Sequence, residues 1–389
     1  MRLGYLIPEF PTQTHAFFWR EAKALEEVGI EIFFLSTKHP SEICEHDFGK
    51  IAEQKTKYLF PPNLFKALFN LSLMPRRLLK AIRYVFELSE ASLYERIKLL
   101  GIILVGANLE KYCRSKKIEH IHVHSFANSA HLASLCHILG GPSYSLSLHG
   151  DLAVYGGDHY SKCKYASFVT AVTRPLCLQI IDSIPGLVPI EVSMGVDVEK
   201  FSFISRREKV GLHVVSVARL SHTKGHIYFL EAMAKRVSSG QDIYYTIAGE
   251  GPQRSEIEMR VAALNLSDRV KLIGSISEDQ VVALLHKSDI FTLNSFGLGE
   301  AAPVAVMEAM STGMSVICSE IGGTGGMINN NIDGILVPQR SSEAIAKALE
   351  RLDDPSYRRT LGAAARKKAE QDFDYRKKAK ILGQRILDL

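Results

Sequence analysis

His213-Val214-Val215-Ser216-Val217-Ala218 is a β-branched run that ends in Arg219-Leu220 and breaks into the polar turn Ser221-His222-Thr223-Lys224-Gly225 before the helical pattern Ile227–Val237. Strand, turn and helix in that order make one unit of a parallel sheet. The unit recurs downstream as Tyr244–Ala248 with Arg254–Leu264, Val270–Ile273 with Asp279–Lys287, Ile290–Leu293 with Val304–Ser311, and then Ser315–Cys318. Upstream the same alternation runs through Gly4–Ile7, Phe17–Val28, Ile30–Ser36, Ile121–His124, Ser129–Leu139 and Tyr144–Leu148. The expectation is an α/β chain with two Rossmann-like sheets in tandem. Its 389 residues are also more than one hydrophobic core comfortably serves.

Between the two series, Ser193-Met194-Gly195-Val196-Asp197 through Phe201, followed by Arg206-Arg207-Glu208-Lys209, has no clear period and reads as the hinge. The expected domains are therefore 1–195 and 196–374. A last helix over 375–389 is expected to return to the first domain.

The bulk composition limits the functional classes. An apolar share of 46% and a charged share of 23% belong to an ordinary folded globule. A net charge of +5 is too mild to argue for nucleic acid. The six cysteines, Cys44, Cys113, Cys136, Cys163, Cys177 and Cys318, form no C-x-x-C pair, which points to reduced thiols and a cytoplasmic setting. The run Met1–Ile7 meets Pro8 and is too short for a secretory signal, and Leu99–Ala107 is about half of the ~20 residues a membrane span needs. One segment, 65–100, carries Arg76, Arg77, Lys80, Arg83, Arg96 and Lys98 among Leu, Ile, Phe and Tyr. It reads either as a core-packed insertion with a solvated basic face or as a surface lying on the inner face of a membrane.

Ligands of open parallel sheets sit beyond the carboxyl ends of the strands, which is where Arg219 and Lys224 fall. A guanidinium and an ammonium there can neutralise a diphosphate without a metal. Glu300-Ala301-Ala302-Pro303 opens the helix that carries Glu308, and the small residues let a phosphate approach free N–H groups at the helix start. Glu308 is then placed for ribose hydroxyls and Glu300 for the transferred sugar. Taken singly, each is equally an ordinary loop or helix charge. His149-Gly150-Asp151 follows the strand Tyr144–Leu148, where a histidine can hydrogen-bond a sugar hydroxyl or exchange a proton.

With these residues in place the chain resembles glycosyltransferase family 4, of GT-B fold. The resemblance is carried by Arg219-Leu220 with Lys224-Gly225, Gly249-Glu250-Gly251-Pro252, the Glu300 and Glu308 pair, Gly322-Gly323, and Gly334-Ile335-Leu336-Val337-Pro338. Phe10-Pro11-Thr12-Gln13-Thr14, His122-Val123-His124, His149-Gly150-Asp151 and Met194–Phe201 are similar to the branch that builds exopolysaccharides such as colanic acid.

The resemblance implies two Rossmann-like domains facing a central cleft, an acceptor domain first and a nucleotide-sugar donor domain second. It implies a metal-independent, retaining hexosyltransferase with no cofactor, taking a UDP- or GDP-linked sugar to a glycan or lipid-linked acceptor in polysaccharide biosynthesis. Arg219, Lys224, Ala302, Pro303 and Glu308 would bind the donor, and His149 and Glu300 would act at the reacting sugar. Phe10, Thr14, His15 and Asp151 would face the acceptor. The chain departs from the family pattern at Ala301, where glycine is common, and at Gly326, where glutamate is common.

Other readings are weaker. His120, His122 and His124 share one face of a strand as metal ligands might, but no carboxylate or cysteine is interleaved with them. Asp372-Phe373-Asp374 has the form of a metal-binding Asp-x-Asp but follows a helix near the C-terminus. Gly4–Phe10 lacks the G-x-G-x-x-G turn of a nicotinamide dehydrogenase. A catalytically silent sugar-nucleotide-binding subunit of an assembly complex is the alternative in a different class. Detectable donor turnover separates the two.

Overall fold

The computed structural model describes residues 1–41, 44–206 and 210–389, so the 207–209 part of the charged hinge lies outside the described residues. The chain divides into two compact units. The first comprises Met1–Cys44, Phe48–Ser193 and Ala379–Leu389, and the second Glu45–Asp47 and Met194–Lys378.

In the first unit the strands are β1 (Arg2–Glu9), β2 (Glu31–Lys38), β3 (Lys57–Tyr58), β4 (His120–Val123), β5 (Ser143–Leu148), β6 (Ala166–Ala171) and β7 (Ile190–Glu191). They form one sheet in the order β3-β2-β1-β4-β5-β6-β7, every pair parallel. Leu3, Tyr5, Ile121, Val123, Tyr144, Leu146 and Leu148 are fully buried, as expected where helices cover both faces of a parallel sheet. The end of the last helix, Tyr375–Leu387, belongs here: a Cβ at Gly383 would meet Val28 and Leu25 at 3.1 and 3.2 Å.

Between β3 and β4 the sheet is interrupted by three helices, Leu64–Ser72, Pro75–Phe86 and Leu93–Lys116. The third starts with a reciprocal capping box between Ser92 and Glu95. Its buried face, including Leu99, Ile102, Ile103 and Val105, packs on the helix Asn128–Ile138.

The second unit has β8 (Leu212–Val217), β9 (Ile243–Ala248), β10 (Val270–Leu272), β11 (Ile290–Leu293), β12 (Ser315–Ser319) and β13 (Ile335–Val337), ordered β10-β9-β8-β11-β12-β13 and again all parallel. Its core joins Val214, Phe229, Met233, Tyr245, Ile247, Ile290 and Ile317. Both sheets reverse their strand order once, between β1 and β4 and between β8 and β11. Such switch points leave a crevice outside the strand ends, because the connections on its two sides run on to opposite faces of the sheet.

Candidate active site

At the second switch point the loops leaving β8 and β11 meet. Arg219 is exposed just after β8, while Leu220 is fully buried and anchors the loop. The short turn His222–Lys224 ends at Gly225, which has φ 66° and starts the helix His226–Ser238. A Cβ at Gly225 would overlap the carbonyl of Asn294, so only glycine lets this turn lie against the end of β11. The Phe296 N–H donates to the Thr223 carbonyl at 2.8 Å and ties the two loops together.

The result is an ion pair. The Lys224 ammonium meets the Glu300 carboxylate at Oε2, which also accepts from the Ser295 hydroxyl at 2.8 Å. The pair is sheltered but open to solvent, with 25% and 14% of the two side chains exposed. Gly322, at φ 54°, backs the acidic loop: a Cβ there would overlap the Glu300 carbonyl, and the Gly323 N–H donates to the Ala301 carbonyl at 2.8 Å. Ala301 itself is buried and is not among the residues with positive φ, so its departure from glycine costs no backbone strain. A side chain at Gly326 would meet open space.

Pro303 caps the helix Val304–Ser311 from outside, one position before its first turn. Ala302 and Pro303 are buried, so their side chains have no free surface to offer a ligand and what the helix start presents is backbone. Glu308 lies half-buried further along the helix.

In the first unit, β1 and β4 flank the switch point and β5 stands next to β4. His149 follows β5 and His124 follows β4. The register pairs Leu3 with His120 and Tyr5 with His122, and pairs His120 with Ser143 and His122 with Ser145. The serines explain the histidines. His120 bonds the Ser143 and Ser145 hydroxyls at 2.7 and 2.8 Å, and His122 bonds the Ser145 hydroxyl at 2.7 Å. Among the described residues no group of three or more His, Cys, Asp or Glu side chains is arranged to hold a metal ion.

His124 continues the row. Its Nδ1 lies 3.1 Å from Nε2 of His149, and its Nε2 lies 3.5 Å from Oε1 of Glu21, which accepts from the Tyr5 hydroxyl at 2.7 Å. Glu21 stands on the helix Ala16–Glu27 beside Phe18, whose ring lies 4.6 Å from that of His124 and 5.3 Å from that of His149. Burial sets the protonation of this cluster. It pushes the His149 imidazole down to about 3, drives His122 and His124 well below their ordinary value, and pushes the Glu21 carboxyl up to about 7.

The residues expected at the acceptor fare differently. Phe10 is fully buried and stacks on Phe34 at 5.2 Å, so its side chain builds the core and cannot touch a ligand. His15 caps the first helix and its Nδ1 lies 3.2 Å from the Glu9 carbonyl. Thr14 is exposed, and Asp151 accepts from the Gln179 amide at 2.8 Å.

The second unit, site included, matches the family model of glycosyl transferases group 1 over residues 197–368. Over these residues the chain is similar to glycosyl transferases group 1. The chain is 35% identical over 200 residues to the amylovoran biosynthesis glycosyltransferase AmsK of Erwinia amylovora, covering 49% of this chain and 49% of that one. It is 31% identical over 189 residues to the putative colanic acid biosynthesis glycosyltransferase WcaL of Salmonella typhimurium, covering 46% of each. The chain thus spans about half the length of these relatives. A longer match, 27% over 323 residues, covers 77% of this chain and 82% of the UDP-Gal:alpha-D-GlcNAc-diphosphoundecaprenol alpha-1,3-galactosyltransferase of Escherichia coli.

Among solved structures, Anabaena HepE in complex with UDP superposes with a TM-score of 0.76 at 15% identity, covering 100% of both chains. At that identity the likeness speaks for the fold, which is GT-B: two parallel-sheet Rossmann-like units. In the second unit, then, the structure brings together Lys224 and Glu300 and adds Ser295, which no spacing in the sequence singles out. In the first unit it brings His149 to His124 and adds Glu21 and Tyr5. Only strand order reveals them, since no motif in the sequence singles out Glu21 or Tyr5.

Proposed function

We propose that the chain is a retaining, metal-independent hexosyltransferase that moves a sugar from a UDP- or GDP-linked donor to a glycan or lipid-linked acceptor in cell-surface polysaccharide synthesis. The observation that carries the reading is the Lys224–Glu300 pair at the switch point of the second unit. A diphosphate entering there competes for the ammonium. When it takes Lys224, with Arg219 beside it, the Glu300 carboxylate is released to accept from hydroxyls of the donor sugar. Two cations supply the charge stabilisation that the departing nucleotide diphosphate requires, which is why no metal is assigned. Glu308 is assigned to the ribose and His149 to the donor sugar. In the retaining step the acceptor oxygen bonds the anomeric carbon on the face the phosphate leaves, and the leaving phosphate oxygen takes the acceptor proton. The polysaccharide setting and the UDP and lipid-linked classes are supported by what the AmsK, WcaL and galactosyltransferase relatives act on and by the nucleotide bound to HepE.

A peripheral contact with the inner membrane face belongs to the same reading. No described helix is long and apolar enough to cross a membrane. The helical insertion nevertheless exposes Phe65, Leu68, Phe69, Leu73, Leu79 and Phe86, with Phe65 at 90%, next to the exposed Lys66, Arg76 and Lys80.

The deciding experiment is a thermal-shift panel of UDP, GDP, ADP and their sugar conjugates without added metal, on wild type, Arg219→Ala and Lys224→Ala. One nucleotide family stabilising the wild type by several degrees, with the shift lost in both variants, is the expected result. No shift at saturating nucleotide with any of them overturns the donor assignment.

A further inference from the structure

We infer that Glu21, acting through His124, fixes which ring nitrogen of His149 carries the proton, and so decides whether the buried Nδ1 of His149 meets a sugar hydroxyl, once the side chains over it part, with a lone pair or an N–H. The inference rests on the assignment of His149 to the donor sugar. Its physical basis is the row Tyr5 hydroxyl, Glu21 Oε1, His124 Nε2, His124 Nδ1 and His149 Nε2, at 2.7, 3.5 and 3.1 Å between side chains, in which the 3.5 Å step from Glu21 to His124 is a contact that a small movement closes to a hydrogen bond. His149 Nδ1, at the end of the row, is closed off from solvent and has no hydrogen-bond partner in the protein, as is the case for His124 Nε2. A buried, unsatisfied ring nitrogen costs free energy unless a ligand or a neighbour's small movement satisfies it.

Each neutral imidazole carries one proton, so the contacts allow two arrangements. With Glu21 ionised, His124 turns its Nε2–H toward the carboxylate, and its Nδ1 accepts from His149 Nε2–H. His149 Nδ1 is then a lone pair. With Glu21 protonated, the carboxyl donates to His124 Nε2, the Nδ1–H of His124 donates to His149 Nε2, and His149 Nδ1 becomes the donor. The hops from His149 Nε2 to His124 Nδ1 and from His124 Nε2 to Glu21 balance when one proton is taken up at His149 Nδ1, so the carboxyl ends protonated and neither ring is charged. The groups facing this row are Tyr5 from β1, His122 and His124 from β4 and its end, His15 at the start of the first helix, and His149. Burial keeps the imidazoles neutral, and Glu21 is the member that titrates near neutrality, at about 7. Glu21 and His124 are positioning residues; neither is assigned a contact with substrate.

The test uses the full chain with 15N-labelled histidine, whose ring shifts report the tautomer directly and need no substrate; His149→Asn assigns the signal. In the wild type at pH 8.5, His149 is expected as the Nε2–H form, moving to the Nδ1–H form as pH falls through about 7. In Glu21→Gln the amide N–H faces His124 and holds His149 in the Nδ1–H form at every pH. In His124→Gln the pH response of His149 disappears. Kinetics of Glu21→Gln are expected to show kcat lower by about tenfold or more with donor KM within about twofold. The same His149 tautomer in wild type and Glu21→Gln at pH 8.5 overturns the inference. A tautomer switch with unchanged kcat leaves the relay standing and removes His149 from the reaction, so failure of the functional reading is told apart from failure of the relay.

Discussion

Gly225 and Glu21 show how single residues divide the work between shape and charge. At Gly225 the backbone has φ 66° and a Cβ would strike the Asn294 carbonyl, so Gly225→Ala adds both strain and overlap exactly where Lys224 must be aimed. The expected cost is roughly 1–3 kcal/mol in urea denaturation, together with loss of the nucleotide-induced thermal shift. A variant that binds nucleotide as the wild type does would show that the turn tolerates displacement from β11. Glu21 is a charge problem instead. Its carboxyl is pushed up to about 7 by burial, so the folded state binds a proton that the unfolded chain has released, and stability falls as pH rises through about 7. Glu21→Gln removes that penalty. At pH 8.5 it is expected to be more stable than the wild type by on the order of 2–3 kcal/mol, even as its turnover drops. A stability difference between the two proteins that is the same at pH 8.5 and pH 5 would show that Glu21 is better solvated than its burial implies.

Among the elements, the strands and helices of the second unit as far as β12 are legible because each strand is a short branched run and each helix has its own apolar stripe, as in Leu212–Val217 and His226–Ser238; β13 and the helix Ser342–Arg351 are not read from the sequence. The two-residue edge strands β3 and β7 carry too little pattern to be read. Lys224 and Glu300 were legible as candidates one at a time, because each follows a strand. Ser295 was not, since its role depends on β11 lying beside β8. Phe10 is placed at the acceptor by the family resemblance alone, whereas here its buried ring turns back onto Phe34. The basic face of the insertion was partly misread for a similar reason. Arg96 spends its guanidinium on the carbonyls of Val85, Phe86, Leu88 and Ala91, and Arg77 donates to the Leu139 carbonyl, so both serve to close the helices together. The membrane reading therefore rests on the exposed apolar residues and on Lys66, Arg76 and Lys80. Phe65→Ser with Phe69→Ser should abolish co-sedimentation with vesicles containing anionic lipid and leave the thermal midpoint within a few degrees, because both rings are exposed. Arg96→Ala should unfold the insertion instead. If the double serine variant sediments as the wild type does, the apolar face is not the anchor.

Across the whole molecule, buried imidazoles are distributed unevenly between the two units. Burial pushes His120 down to about 4 and His131 and His149 to about 3, and drives His122 and His124 lower still; all five are in the first unit. The second unit has His226, pushed down to about 4, as its counterpart. A histidine with a depressed folded pKa contributes stability that is complete above its unfolded value of about 6.5 and is lost progressively as pH falls toward the folded value, because only the unfolded chain takes up the proton. Glu21 works in the opposite direction but is one group against five. The first unit should therefore unfold at a higher pH than the second when the chain is acidified. The sequence supplies a probe for this. Its one tryptophan, Trp19, is in the first unit, stacked between Phe34 at 5.5 Å and Phe48 at 5.2 Å. Tryptophan fluorescence then reports the first unit alone, while far-ultraviolet circular dichroism reports both. On titration from pH 7 to pH 3 the fluorescence transition should come first, with part of the helical signal persisting below it. Coincident transitions would mean that the two units unfold as one cooperative body, or that the buried histidines find enough solvation in the folded state to lose their leverage.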